Sequence, residues 1–231
     1  MFARQGFVGY TFAESERRRA AGTLPKRSLV VTFDDGYASV LRAKPILDEV
    51  GFPATVFVVK SFMETGEPRW TGIAAWLDSA LASEHAPEMR PLDWNALELL
   101  VEGGWEVGSH TLSHPLLPFL PDSELARELE LSRKWIAERL GRCETIAYPY
   151  GRADERVAVA AAKAGYLCAC TLTGSHAVDE RYRRPRLELR DRDVGLRLAI
   201  KISSLSLRLR HSRLAQAAHR VPRRRTWLPD A

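Results

Sequence analysis

Cysteine is scarce in this sequence and long apolar runs are missing from it. Three cysteines, Cys143, Cys168 and Cys170, make an odd set, too few for a disulfide-stapled scaffold and in keeping with free thiols in a reducing compartment. The longest apolar stretches, such as residues 29–31 and 54–59, fall far short of the roughly 18 residues that a membrane-crossing helix needs. The opening MFARQGFVGYTFAESERRR has neither an uninterrupted apolar region of about 7 to 15 residues nor a small-residue cleavage site, so it does not read as a secretory signal. A cytoplasmic protein is the expectation. No repeat or low-complexity tract occurs in the first 200 residues, which sets aside solenoids and propellers. What is present is a chain of 231 residues, 45% hydrophobic and 27% charged, a composition that can bury a core and does not suit disorder.

The net charge of +5 is unevenly spread. Residues 201–231 hold eight Lys and Arg against one Asp, so the first 200 residues carry a small negative balance. A polyanionic partner would concern the tail alone, and no nucleic-acid module is recognisable there. The expected organisation is a body over residues 1–200 and a basic helix or tail over 201–231.

Strand-like and helix-like segments alternate along the body. Residues 28–33 (SLVVTF) and 54–59 are apolar without a polar face, as in strands covered on both sides. Further strands are expected at residues 105–108, 145–148, 166–172 and 186–189. Between them, apolar residues at helical spacing predict helices after Gly36, from Asp93 to Glu102, from Asp122 or Ser123 to Leu140, and from Asp154 to Ala164. Pro45 weighs against an unbroken helix after Gly36. Repeated strand–helix units favour a parallel α/β sheet, open or closed into a barrel, with ligand chemistry at the carboxyl ends of the strands.

Three polar clusters follow apolar runs at those ends: Asp34-Asp35-Gly36, His110-Thr111-Leu112-Ser113-His114-Pro115 and Tyr148-Pro149-Tyr150-Gly151. Asp-Gly is also an ordinary turn dipeptide, and two histidines four apart are often structural. Yet adjacent carboxylates after a buried strand are costly unless something neutralises them. Two imidazoles and one carboxylate are a recurring ligand set for zinc and similar divalent ions, and three protein ligands leave a position for water. The second carboxylate is then available as a base. Extended backbone would point neighbouring aspartates in opposite directions and so separate the two roles.

Thr32 to Gly36, Ser109 to His114 and Ala147 to Gly151 resemble the first three motifs of the polysaccharide deacetylase family, also called the NodB-homology domain. The resemblance spans about residues 25 to 190. It implies a distorted, incomplete (β/α) barrel and metal-dependent removal of acetyl groups from sugars. Carried over by motif, Asp34 resembles the general base, and Asp35, His110 and His114 resemble the metal ligands, with zinc the expected ion. The backbone N–H of Tyr150 takes the place that steadies the oxyanion.

The sequence departs from the family pattern in two places. Many relatives open the third motif with an arginine that steadies the catalytic aspartate, whereas this chain has Ala147; Arg184 or Arg186 is the substitute, or both are solvated surface residues. The late leucine-rich motif lacks its histidine. In a second branch, to which Ala-Tyr-Pro-Tyr-Gly is closer, a Tyr-His pair on an amino-terminal strand fills that role. The segment FARQGFVGYTFAE reads as the helix and turn after such a strand, with the strand itself missing. Either the reading frame starts upstream of Met1 or another group donates the proton, and His176 is the candidate.

Among the remaining residues, Cys168 and Cys170 fit a core strand better than a metal site. Trp70 and Trp76 are candidates for stacking on a sugar, Trp70 the better, and Trp94 reads as packing. Residues 191–221 form a basic amphipathic pattern that fits peripheral contact with anionic membrane lipid, docking on the body, or a last barrel helix with a frayed tail. The expected partner is an N-acetylated carbohydrate in a surface polysaccharide or its lipid-linked precursor. The rival readings are an amidohydrolase for a small non-sugar amide and an inactive sugar-binding domain that keeps the metal.

Overall fold

The structure is a computed structural model that describes residues 1–67, 86–172, 180–190 and 192–202. Its centre is a seven-stranded parallel sheet in chain order. The strands are β1 (Val8–Tyr10), β2 (Ser28–Phe33), β3 (Ala54–Val58), β4 (Glu106–Ser109), β5 (Thr145–Ala147), β6 (Cys168–Thr171) and β7 (Arg184–Pro185). Helices α1 (Phe12–Ala20), α2 (Val40–Asp48), α3 (Lys60–Thr65), α4 (Trp94–Glu102), α5 (Asp122–Leu140), α6 (Glu155–Lys163) and α7 (Gly195–Lys201) follow strands in turn. Strict sequential order in an all-parallel sheet curls it into a half-barrel with helices outside, the incomplete (β/α) barrel expected from the sequence.

Alternation along the strands sorts the side chains into two cores. Val56 and Val58 of β3, Val107 of β4, Ile146 of β5 and Ala169 of β6 pack with Leu97, Leu100, Leu125, Leu129, Ile136 and Val157 of the helices. Phe57, Ala147, Cys168 and Cys170 form the inner cluster with Phe12. Both thiols of the Cys-Ala-Cys run are therefore buried core groups, and all three cysteines are free. Gly108 lies inside this curve, where a Cβ would come within 2.6 Å of both Phe57 and Thr145.

The barrel floor is polar but paired. The Glu106 carboxylate accepts from Thr55 Oγ1 (2.9 Å), Thr145 Oγ1 (2.6 Å) and the Ala13 N–H (2.9 Å). A carboxyl group is thus held against the amino end of α1, whose Ala13 N–H lowers a pKa that burial raises. Phe12 enters the floor beside it, its own N–H donating to Thr55 Oγ1 at 2.8 Å.

Three expectations need correction. Residues 2–14 contain the missing strand: Val8–Tyr10 pairs with Ser28–Val30 as β1, so the first barrel strand is present. It carries Tyr10 but no histidine. Residues 186–189 are not a strand; β7 ends at Pro185, and the last link to β6 is the Arg186 N–H donating to the Thr171 carbonyl at 2.8 Å. Proline supplies no N–H to extend such a ladder. Pro45 lies within α2 without ending it. Trp94 packs on Trp135 with ring centroids 4.6 Å apart, while Trp70, Trp76, His176 and residues 203–231, which hold most of the basic segment, lie outside the described residues.

Candidate active site

Every motif residue of the described chain sits where a strand delivers it to the same rim. Asp34 and Asp35 follow β2, His110 follows β4, Tyr150 follows β5 and Arg186 follows β7. Among the described residues, four non-glycine positions have left-handed backbone, Asp35 (φ 65°), Thr111 (φ 75°), His114 (φ 60°) and Tyr150 (φ 58°), and all four belong to the three motifs. Such conformations cost on the order of 1–3 kcal/mol each and persist where surrounding structure holds them, most often at functional sites. The two aspartates do diverge, but through the left-handed turn at Asp35 and Gly36 rather than through strand alternation. A Cβ at Gly36 would lie 2.9 Å from Val58, so only glycine brings that turn so close to β3.

Asp35, His110 and His114 converge. Their ligand atoms lie within 4.8 Å of one another, with Asp35 Oδ1 3.6 Å from His110 Nε2 and 3.5 Å from His114 Nε2. His110 Nδ1 stands 2.7 Å from the Ala147 carbonyl. A carbonyl only accepts, so Nδ1 carries a hydrogen and the ring is held with Nε2 toward Asp35. Both imidazoles are buried, and Asp35 Oδ1 is buried without a hydrogen-bond partner. A carboxylate oxygen and two imidazole nitrogens brought together out of water suit a cation between them. Bonds of about 2.0–2.1 Å from one tetrahedral ion would set ligand atoms about 3.4 Å apart, close to the two separations from Asp35. The three residues fit a zinc-type divalent ion.

Electrostatics divide the aspartates. Burial pushes the Asp35 carboxyl above the ordinary carboxylate range, and the Asp34 charge adds to it against the pull of His110, a hydrogen bond with Tyr37 and the charge of Arg186. Burial would raise Asp34 as well, but His110, Arg186 and the hydrogen bond from Arg186 outweigh it and hold the carboxyl low. His114 is brought down to about 3, first by burial and then by repulsion from His110, and is a neutral imidazole near pH 7.

The choice between the two arginines is settled by geometry. Arg186 makes a two-pronged pair with Asp34, at 2.7 Å to Oδ1 and 2.8 Å to Oδ2. It also donates to Thr32 Oγ1 at 3.0 Å, and its guanidinium lies 5.6 Å from the Phe57 ring centroid. Arg184 turns away to Glu16, at 2.9 Å, and Glu180, at 3.1 Å. Tyr150, partly exposed, sets its ring edge-on to His114 with centroids 4.6 Å apart. The sequence reading missed Glu128 and Ser132, four apart on α5 and both buried among Leu125, Leu129 and Ile136. Polar residues on the apolar stripe of a helix were the available signal.

Known proteins point the same way. Residues 21–169 match the polysaccharide deacetylase family model, a span that includes all three motifs and stops short of Arg186. YxkH of Bacillus subtilis (strain 168), a protein named after the same family, is 28% identical over 143 residues, 61% of this chain and 43% of that one. This chain therefore matches less than half of that curated relative's length. The Streptococcus pyogenes deacetylase PplD, solved in complex with acetate, superposes with a TM-score of 0.71 at 21% identity, over 87% of this chain and 82% of that one. IcaB from Ammonifex degensii gives 0.64 at 24% identity, over 83% and 81%, and the deacetylase domain of BpsB from Bordetella bronchiseptica gives 0.61 at 22%, over 78% and 79%. These likenesses establish the fold, and the matched span carries every motif of the rim: the chain belongs to the polysaccharide deacetylase family.

Proposed function

We propose that this chain is a metal-dependent hydrolase that removes the acetyl group from an N-acetylated sugar of a polysaccharide or its lipid-linked precursor. The observation that carries the reading is the convergence of Asp35, His110 and His114 on one point, with the ionised Asp34 beside them. A zinc ion there would supply a Lewis acid for the acyl oxygen and a water with a pKa near 7. The described residues do the rest. Asp35, His110 and His114 are the holding groups, all three buried or partly so. Asp34 takes a proton from the attacking water, and that proton is the one the departing nitrogen must regain. The Tyr150 amide, on the same rim, faces the charge that develops on the acyl oxygen. The choice of a sugar substrate rests on the family and on the names of the related deacetylases.

The direct test is acetate release from N-acetylglucosamine oligomers, measured with a chelator and again after zinc is returned. Release that stops with the chelator and resumes with zinc supports the hydrolase. Sugar binding without release would make the chain a binding domain, and release indifferent to the chelator would remove the metal from the reading.

Arg186 has its own test. Its fork keeps Asp34 ionised and aimed, so Arg186→Met should lower kcat by at least about tenfold, with oriented base catalysis worth roughly 10²–10⁴-fold in all. Losing the cation raises the Asp34 pKa, so the acid limb of the kcat/KM profile should move to higher pH. Arg184→Met should leave both unchanged, because Arg184 pairs with Glu16 and Glu180 instead. Equal effects from the two variants would refute the assignment.

A further inference from the structure

The loop from His110 to His114 holds two of the three ligands in an unfavourable backbone, with left-handed residues at Thr111 and His114. Within it the His114 N–H donates to Thr111 Oγ1 at 3.0 Å, and the loop's remaining hydrogen bonds come from outside. Two come from the start of α3, where the Ser61 N–H donates to the Leu112 carbonyl at 2.8 Å and the Lys60 N–H to the Thr111 carbonyl at 3.3 Å. The Leu112 and Ser113 N–H groups turn the other way, toward α5. Glu128 Oε2 accepts from the Leu112 N–H at 2.8 Å and the Ser113 N–H at 3.1 Å, and Oε1 accepts from Ser113 Oγ at 2.6 Å. One turn on, Ser132 Oγ is 2.9 Å from Ser109 Oγ, which accepts the Thr111 N–H at 3.0 Å. Ser132 is itself held by the Glu128 carbonyl and neighbours Tyr166 Oη at 3.1 Å.

We propose that Glu128 is a positioning residue for metal binding: its carboxylate brackets the loop between the two imidazoles and sets His114 Nε2 toward Asp35. The inference rests on the metal-site reading above and adds a residue that touches neither the ion nor the substrate. A carboxylate suits the task because three donors converge on it from one loop, more than a neutral side chain could accept with the same two atoms. Glu128 is buried, so the bracket works out of water, where lost bonds leave N–H groups unsatisfied. Such partners behind the ligands typically change metal affinity by about 10–100-fold when removed. Helix α5 is long and anchored by Leu125, Leu129 and Ile136, which makes it a rigid mount for the bracket.

The experiment measures zinc affinity of the metal-free full chain by competition with a chromogenic chelator, alongside the melting temperature of each metal-free variant. Glu128→Ala should weaken zinc binding about 10–100-fold. Ser113→Ala, which removes only the Oγ contact, should weaken it less, and Glu128→Gln, which keeps an acceptor oxygen for the two backbone N–H groups, should recover most of the affinity. If Glu128→Ala does not fold, Ser113→Ala carries the test: zinc affinity unchanged in that variant overturns the proposal. Lower melting temperature with unchanged zinc affinity in Glu128→Ala overturns it as well and leaves the metal site intact. A wild-type chain that takes up no zinc would overturn the metal reading and this inference together.

Discussion

Asp35→Asn is expected to give a folded protein that no longer binds zinc and no longer releases acetate. The substitution keeps shape and keeps a residue that tolerates left-handed backbone, which Asp35 adopts with φ 65°. What it removes is the carboxylate that faces the two imidazoles. Loss of the ion forfeits several kcal/mol of transition-state stabilisation, so turnover should fall by at least ~10³-fold at about 1.4 kcal/mol per tenfold. The metal-free fold should not suffer. Burial raises the Asp35 pKa, so the ionised side chain is disfavoured in the folded apo protein, and a neutral amide relieves that. The sign matters for pH as well. A carboxyl whose folded pKa lies above its unfolded value destabilises the fold as pH rises past the unfolded value, so apo wild type should lose stability across that window and the asparagine variant should not. Thermal melts with and without zinc check this. Wild type at a hundredfold excess of zinc over Kd should gain about 2.7 kcal/mol, and Asp35→Asn should gain nothing. A variant still stabilised by zinc would show that Asp35 is not a ligand.

The same substitution one residue earlier should have the opposite pattern. Asp34→Asn should keep about one zinc per chain while kcat/KM drops by roughly 10²–10⁴-fold, the usual worth of a positioned general base. Asp34 is held by the Arg186 fork and is not one of the three converging groups, so its charge serves the proton and not the ion. An asparagine still accepts from the Arg186 fork through its oxygen, which limits structural damage. Metal analysis with steady-state kinetics separates the outcomes. Lost zinc in Asp34→Asn, or retained activity, would mean that the roles of the two aspartates are exchanged or that another base acts.

These contrasts show how far the residues could be read in line. The motif positions were legible because each is a local event: an apolar strand ends, polar residues follow, and a glycine or proline stops the strand or helix from continuing. His110 and His114 share one loop, and Asp34 and Asp35 share one turn. The first strand was missed for a local reason too, since Val8–Tyr10 is three residues long with Gly9 at its centre, too short for any periodicity. Its identity comes from pairing with Ser28–Val30 across the chain.

Arg184 and Arg186 could not be separated in the sequence. They stand two apart, and in a continued strand they would share a face. Only the end of the β6–β7 pairing after Pro185 sends one to Glu16 and the other across 152 positions to Asp34. The partners of Glu128 were equally silent, because Leu112 and Ser113 lie on a different element and are reached by backbone N–H groups that no side-chain pattern reveals. The sequence by itself determined the parallel α/β architecture, the candidate polar residues and the rim on which they stand, all consequences of short-range periodicity and residue chemistry. The tertiary structure decided which cation faces Asp34, which carbonyl orients His110 and which helix grips the ligand loop, because those depend on distances between strands and helices that chain-local patterns do not contain.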